Sequence, residues 1–338
     1  MRTATKWMTL LLALATAGCT LTPRWTAIDP AFVPTAINDA GVIVGNNAGG
    51  PVSYQNGTVT ALPPISGVKS PFTAVDVANN GPILGSTGDP NFPGVFWLSG
   101  NIQIPMGAPL VGFFVPKAVN NHLAVAGSAF DAGKAYKWRP DASGYTELHP
   151  PAGLPSGSFT TTATDINDAG AVVGTVIQTP TGASAFVVYW NAPDSSPTIL
   201  SNNLDGPYSN PHILNSGAVY YMSGGSMIRI PVVGGTAYFV QPPHVDSLDA
   251  VSQAGRVAGT ITVGGVKHGF TSYQGNVAYL DIPNAPAGDY FRPAGINTCG
   301  NVIVGTHLDS NGGVVGGVIF RKSSSVLAIQ CDQQLVMQ

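Results

Sequence analysis

Charge is scarce in this chain: 14 Lys and Arg and 17 Asp and Glu among 338 residues, 9% in all, with a net charge of −3. The basic residues form no cluster, which argues against a nucleic-acid partner, because phosphate contacts need a concentrated basic face. A disordered chain is excluded too, since such chains carry more charge and less Val, Ile and Phe. Glutamate is almost absent, Glu147 being the single one. A glycosidase-like pair of carboxylates would have to be built from aspartates. The six histidines lack the short spacings of a zinc motif. No Gly-x-Ser-x-Gly elbow or phosphate loop occurs. Asp39 and Asp168, each within Asn-Asp-Ala-Gly, lack the alternating acidic run of a calcium loop. No catalytic residue, metal or cofactor is assigned.

Long hydrophobic runs are missing as well. The apolar stretch at residues 7–17 has eleven residues, too few for the ~20 that a spanning helix needs. Arg2 and Lys6 precede it and small residues follow, the pattern of a signal peptide over residues 1–18. Its end, Thr16-Ala17-Gly18-Cys19, resembles the lipobox of bacterial lipoproteins. That resemblance implies that Cys19 is lipidated and becomes the mature N-terminus. Thr20 is not the aspartate that resembles an inner-membrane retention signal, so an outer-membrane anchor is expected. Cleavage after Ala17 to leave a soluble secreted protein is the alternative. In the lipoprotein reading the chain meets the membrane through its lipid alone.

Cysteine is rare, with three in the chain. If Cys19 carries lipid, Cys299 and Cys331 remain, and an oxidising compartment allows them to pair. Two free thiols are the other possibility.

What is abundant is glycine, 42 residues, and proline, 28, among Val, Thr, Ser and Asn. That mixture suits short strands joined by tight turns. Residues 36–45, Ala-Ile-Asn-Asp-Ala-Gly-Val-Ile-Val-Gly, recur in worn copies every 38 to 47 residues. The fourth turn residue is Gly41, Gly81, Leu123, Gly170, Gly217, Gly255 and Gly300. A type I turn favours Asn or Asp at its first position and Gly at its fourth. The fifth copy is the most degraded: Leu214 replaces the Asn, and Tyr221 stands where the closing Gly belongs. After each turn strand come an aromatic-bearing strand, a hairpin turn such as Gln55-Asn56-Gly57, a third strand, and a fourth beyond a Pro-rich loop.

Four antiparallel strands per 40–45 residues mark a propeller blade. The expectation is an all-β propeller filling residues 20–338 as one domain, of seven blades, with six or eight as alternatives and a β-solenoid as runner-up. The last repeat is short of a strand, and residues 25–28 and 34–37 resemble a spare third and fourth. The N-terminal segment is therefore expected to complete the last blade. The turn phrase reads as a hinge between successive blades.

Repeats of the form Ile-Asn-x-x-Gly-x-Val-x-Gly followed by Ala-Phe-x-Trp resemble the bacterial extracellular repeat family labelled HAF, from residue 36 to about 320. The resemblance implies repeat architecture and an extracellular location, and no activity.

Two sets of residues stand out. Asp76 and Asp165 occupy equivalent positions two residues before their turns, pointing either to a shared channel or to backbone capping. Six residues before the turn lies an aromatic in five copies: Phe32, Phe72, Phe114, Tyr208 and Phe291. These are either plugs between blades or a rim that stacks on a ligand. In the rim reading Tyr290, Arg292, His149 and His244 join them. The function expected is a non-enzymatic, monomeric module that binds a glycan, a peptide or an envelope protein. A glycosidase or lyase acting on an extracellular polymer and a structural lipoprotein are the alternatives. The enzyme would require Asp76, Asp165 and a histidine to meet in one cleft.

Overall fold

The computed structural model describes residues 24–322, apart from 69–71, 99–101, 108–112, 130, 142–143, 155–156, 180–183, 192–196, 202–209, 232 and 243. Cys19, Cys331 and Tyr208 lie outside the described residues. The regular elements are all strands, arranged in seven antiparallel sheets of four. The first blade is Val33–Ile37, Ile43–Asn47, Gly50–Gln55 and Thr58–Ala61, counted outward from the axis. The protein is a seven-bladed propeller.

The ring closes through the N-terminal strand, in a different phase from the expected one. Arg24–Ala27 pairs with Val314–Arg321 as the outermost strand of the last blade. Val33–Ile37, expected as a fourth strand, instead opens the first blade. A repeating ladder of hairpins has no intrinsic start, so the pattern alone could not tell these frames apart. Trp25 fixes the closing strand, its ring lying edge-on to Phe291 at 5.3 Å and to Phe320 at 5.0 Å.

Seven separate apolar clusters hold the ring, one at each blade interface. A single four-stranded sheet cannot cover both its faces, and each cluster joins the facing sides of two neighbours. Phe32, Phe72, Phe114 and Phe291 belong to four of these clusters and are between 0 and 8% exposed. They are plugs, and the rim reading fails for Phe72, Phe114 and Phe291, because a ring sealed between sheets cannot stack on a ligand.

In the third and seventh blades the closing glycine of the repeat gives the plug its seat. A Cβ on Gly127 would lie under 3 Å from both the Val115 carbonyl and the Phe114 ring, and Gly305 meets the Arg292 carbonyl and the Phe291 ring in the same way. Tyr221 replaces this glycine in the fifth blade. There the innermost strand shrinks to His212–Ile213, opposite Tyr220 and Val219, and stops before it would face Tyr221.

The turn phrase lies within each blade, joining its first and second strands, so it is not a hinge between blades. Its fourth residue has a positive φ in every copy, from 60° at Leu123 to 112° at Gly81, which explains the glycine preference. Its side chains do bridge blades. Asn38 accepts from Val42 N through Oδ1 and donates through Nδ2 to Ala78 O in the next blade. Asn120 and Asn167 repeat both bonds. Cys299, in the seventh turn, is disulfide-bonded. Its partner lies outside the described residues.

Candidate functional site

The second residue of every turn is polar: Asp39, Asn79, Asn121, Asp168, Asn215, Gln253 and Thr298. Together they form a belt around one mouth of the axial channel. Asp39 N donates to Asn79 Oδ1, and Asn80 Nδ2 to Asn121 O. Asn121 donates twice to Asp168, through N to Oδ1 and through Nδ2 to Oδ2. Asp168 N donates to Asn215 Oδ1, Asn215 N to Gln253 Oε1, and Ala254 N to Thr298 O. Thr298 N donates to Asp39 Oδ1 and completes the circle. These residues are spoken for by the scaffold.

Above the belt the channel opens into a cavity of about 400 Å³. In six blades the innermost strand bulges just before its turn, at Thr35, Val75, Lys117, Thr164, Asp249 and Ala294. A bulge sets two residues against one and re-aims a side chain. All six bulged residues line the cavity, and so do Asp76, Asp165 and His212 at the next position in their blades. Three carboxylates, one imidazole and one ammonium thus line the cavity above the belt, whose Asp168 adds a fourth carboxylate at its edge.

Asp76 and Asp165 are held identically. Each accepts from the following backbone N–H through Oδ1, Val77 or Ile166. Each accepts through Oδ2 from the next blade, Val119 or Ile213. Both expectations hold at once: the carboxylates cap backbone and also face the channel. A carboxylate has about four lone-pair sites, so two remain on each. Burial pushes the Asp76 carboxyl up to about 7, with repulsion from Asp165 adding to it and the two backbone bonds opposing it. Asp249 is raised as well, again by burial first, while Ser247 and the charge of Arg292 hold it back. His212 Nδ1 lies 3.7 Å from Asp165 Oδ2, and its Nε2 is shielded from solvent without a hydrogen-bond partner.

The remaining rim candidates separate. Arg292 Nη2 sits 3.8 Å from the channel carboxylate of Asp249 and so does border the site. Tyr290 lies under Lys267 Nζ at 5.2 Å. His149 is exposed, with Nδ1 3.3 Å from Glu147, and His244 sits at a positive φ. Neither lines the channel. Among the described residues no group of three or more His, Cys, Asp or Glu could hold a metal ion. His212 was legible in principle, since it occupies the same repeat position as Asp76 and Asp165 in the fifth copy. Asp249 and Lys117 were not, because a one-residue bulge reverses the side predicted by strand alternation.

No family model matches the chain, and no curated protein matches it in sequence. In fold it is similar to virginiamycin B lyase from Staphylococcus aureus, solved in a catalytically inactive form with quinupristin, at a TM-score of 0.59 and 12% identity, covering 89% of this chain and 100% of that one. YCF48 bound to D1 peptide is similar at a TM-score of 0.54 and 12% identity, over 89% and 97% of the two chains. A chain of the mitotic checkpoint complex matches at 0.54 and 12%, over 90% and 95%. At such identities the likeness is one of fold.

Proposed function

We propose that this chain is exported, anchored by lipid at Cys19 in the outer membrane, and serves there as a binding propeller. Its axial channel receives a cationic segment of a peptide or protein. The observation that carries this reading is the convergence of Asp76, Asp165 and Asp249 on one cavity against the single ammonium of Lys117. Each carboxylate is fixed by the blades, so little ordering is left for binding to impose. A buried carboxylate that is costly to ionise alone gains most from a cation brought beside it. Peptide-binding relatives in fold are consistent with such a partner. The anchor rests on residues 1–19. Cys19→Ala is expected to release the protein from the membrane fraction, and unchanged fractionation would refute the anchor. For the channel, hexalysine is a suitable probe: calorimetric titration should give binding that weakens with salt, whereas no binding at low salt would sink the reading.

The enzyme reading is favoured by one observation. Asp76, Asp165 and His212 do line one cavity, and an acid near 7 sharing it with an imidazole 3.7 Å from a carboxylate is the equipment of general acid–base chemistry. Incubation with polysaccharides and peptidoglycan, followed for reducing ends and unsaturated products, tests it. Turnover abolished by His212→Ala would establish it, and absence of turnover leaves binding as the function.

A further inference from the structure

A second cavity, of about 430 Å³, lies between the fifth and sixth blades and meets the channel mouth at Gln253. It is within the ~300–1,000 Å³ range of small-ligand sites. Here the repeat is most degraded, and the departures gather along the groove. Tyr220 takes the place filled by Val44, Leu84, Ala126 or Val173 in other second strands. Its hydroxyl reaches the sixth turn, where a Cβ on Gly255 would lie 2.8 Å from it. Arg256 replaces the small or apolar residue that follows the turn in the first five copies, and its guanidinium lies 4.9 Å from the Tyr273 ring centroid.

Arg229 and Lys137 make the comparison sharp. They hold equivalent register positions, Lys137 opposite Ala126 and Arg229 opposite Tyr220. Lys137 is buried and donates to Gly170 O in the next turn, so the fold consumes it. Arg229 instead lies between the rings of Tyr220 and Tyr238, 5.7 and 5.4 Å from their centroids, and donates to the Tyr238 hydroxyl. Its Nε has no partner, and neither does the buried Ser272 Oγ, which also lines the groove. On the outer strand Tyr238–Val240, Phe239 is 73% and Tyr238 43% exposed.

Among the described residues the lining holds rings, amides, hydroxyls and an arginine, and no carboxylate or lysine. We infer that this groove is a binding site for an oligosaccharide carrying carboxylate groups. Phe239 and Tyr238 stack on the sugar faces. Gln241 and Gln274 bond the hydroxyls, and Arg229 takes the carboxylate. An apolar peptide side chain would leave the charge of Arg229 unmatched, and an acidic peptide would leave the exposed rings of Phe239 and Tyr238 without a flat partner.

The test is affinity electrophoresis in gels containing polygalacturonate, with dextran as the neutral polymer. The wild-type domain should be retarded by polygalacturonate alone. Arg229→Ala and Phe239→Ala should each weaken retardation about tenfold or more, while Ile104→Ala, an exposed side chain on the outer strand of the second blade, leaves it unchanged. Phe239 is on the surface, so its variant decides the matter even if Arg229→Ala fails to fold. Equal retardation by dextran, no retardation, or wild-type behaviour of Phe239→Ala would overturn the proposal.

Discussion

His212 Nδ1 stands 3.7 Å from Asp165 Oδ2, across the boundary between the fifth and fourth blades. The same carboxylate oxygen accepts from Ile213 N, the residue after the histidine. One aspartate therefore both staples two blades and presents charge to the axis. This double duty is the theme of the channel, and it makes stability and binding respond to the same groups.

The pH response follows from Asp76. Its carboxyl, raised to about 7, keeps a proton in the folded chain that an unfolded Asp, ordinarily near ~4, has already lost. Between those values the folded state binds more protons, so this group's contribution to stability falls as pH rises from about 4 to about 7, then levels. Asp76→Asn cannot ionise. Melting temperatures measured from pH 5 to 8 should show the wild type losing ground to the variant as pH rises, and a constant difference would contradict the assignment.

Phe114 is fully buried and rests on Gly127. Phe114→Ala should cost about 3–5 kcal/mol in urea unfolding. Gly127→Ala should also destabilise, by roughly 1–3 kcal/mol, through collision with the Val115 carbonyl and the Phe114 ring. Neither change should alter ligand binding at temperatures where the variant is folded.

Trp25 tests the closure. Its ring covers Phe291 and Phe320 but stays half-buried, so Trp25→Ala should cost about half of the ~3–5 kcal/mol of a sealed ring. Hydrogen exchange should speed up first in Val314–Arg321, the strand left with a free edge.

Cys299 is disulfide-bonded. Non-reducing peptide mapping of the membrane-extracted protein should find it joined to Cys331, with Cys19 carrying lipid. A Cys19–Cys299 link would rule out the anchor and the pairing together.

The ring was legible because its rule is local and repeated. Asn38 and Gly41 belong to a turn whose backbone demands them, and seven copies of that turn announce seven blades. The phase was not legible, since Val33–Ile37 looks the same whether it ends one unit or begins the next. Phe72 and Phe114 were visible as a series, but a periodic aromatic says nothing of whether its surroundings are protein or water. The channel was half legible. Asp76 and Asp165 shared a repeat position and could be matched, whereas Lys117 and Asp249 reach the axis through bulges that no alternation pattern encodes. The groove beside Tyr220 and Arg229 showed only as a poor copy of the repeat.

The most direct test of the channel as a cation-binding site is calorimetric titration of hexalysine into the wild-type domain and into Asp165→Asn/Asp249→Asn. The expected result is binding to the wild type that tightens from pH 5.5 to 8 as Asp76 ionises, and at least a tenfold loss in the folded double variant. Equal affinity in the two proteins would contradict it.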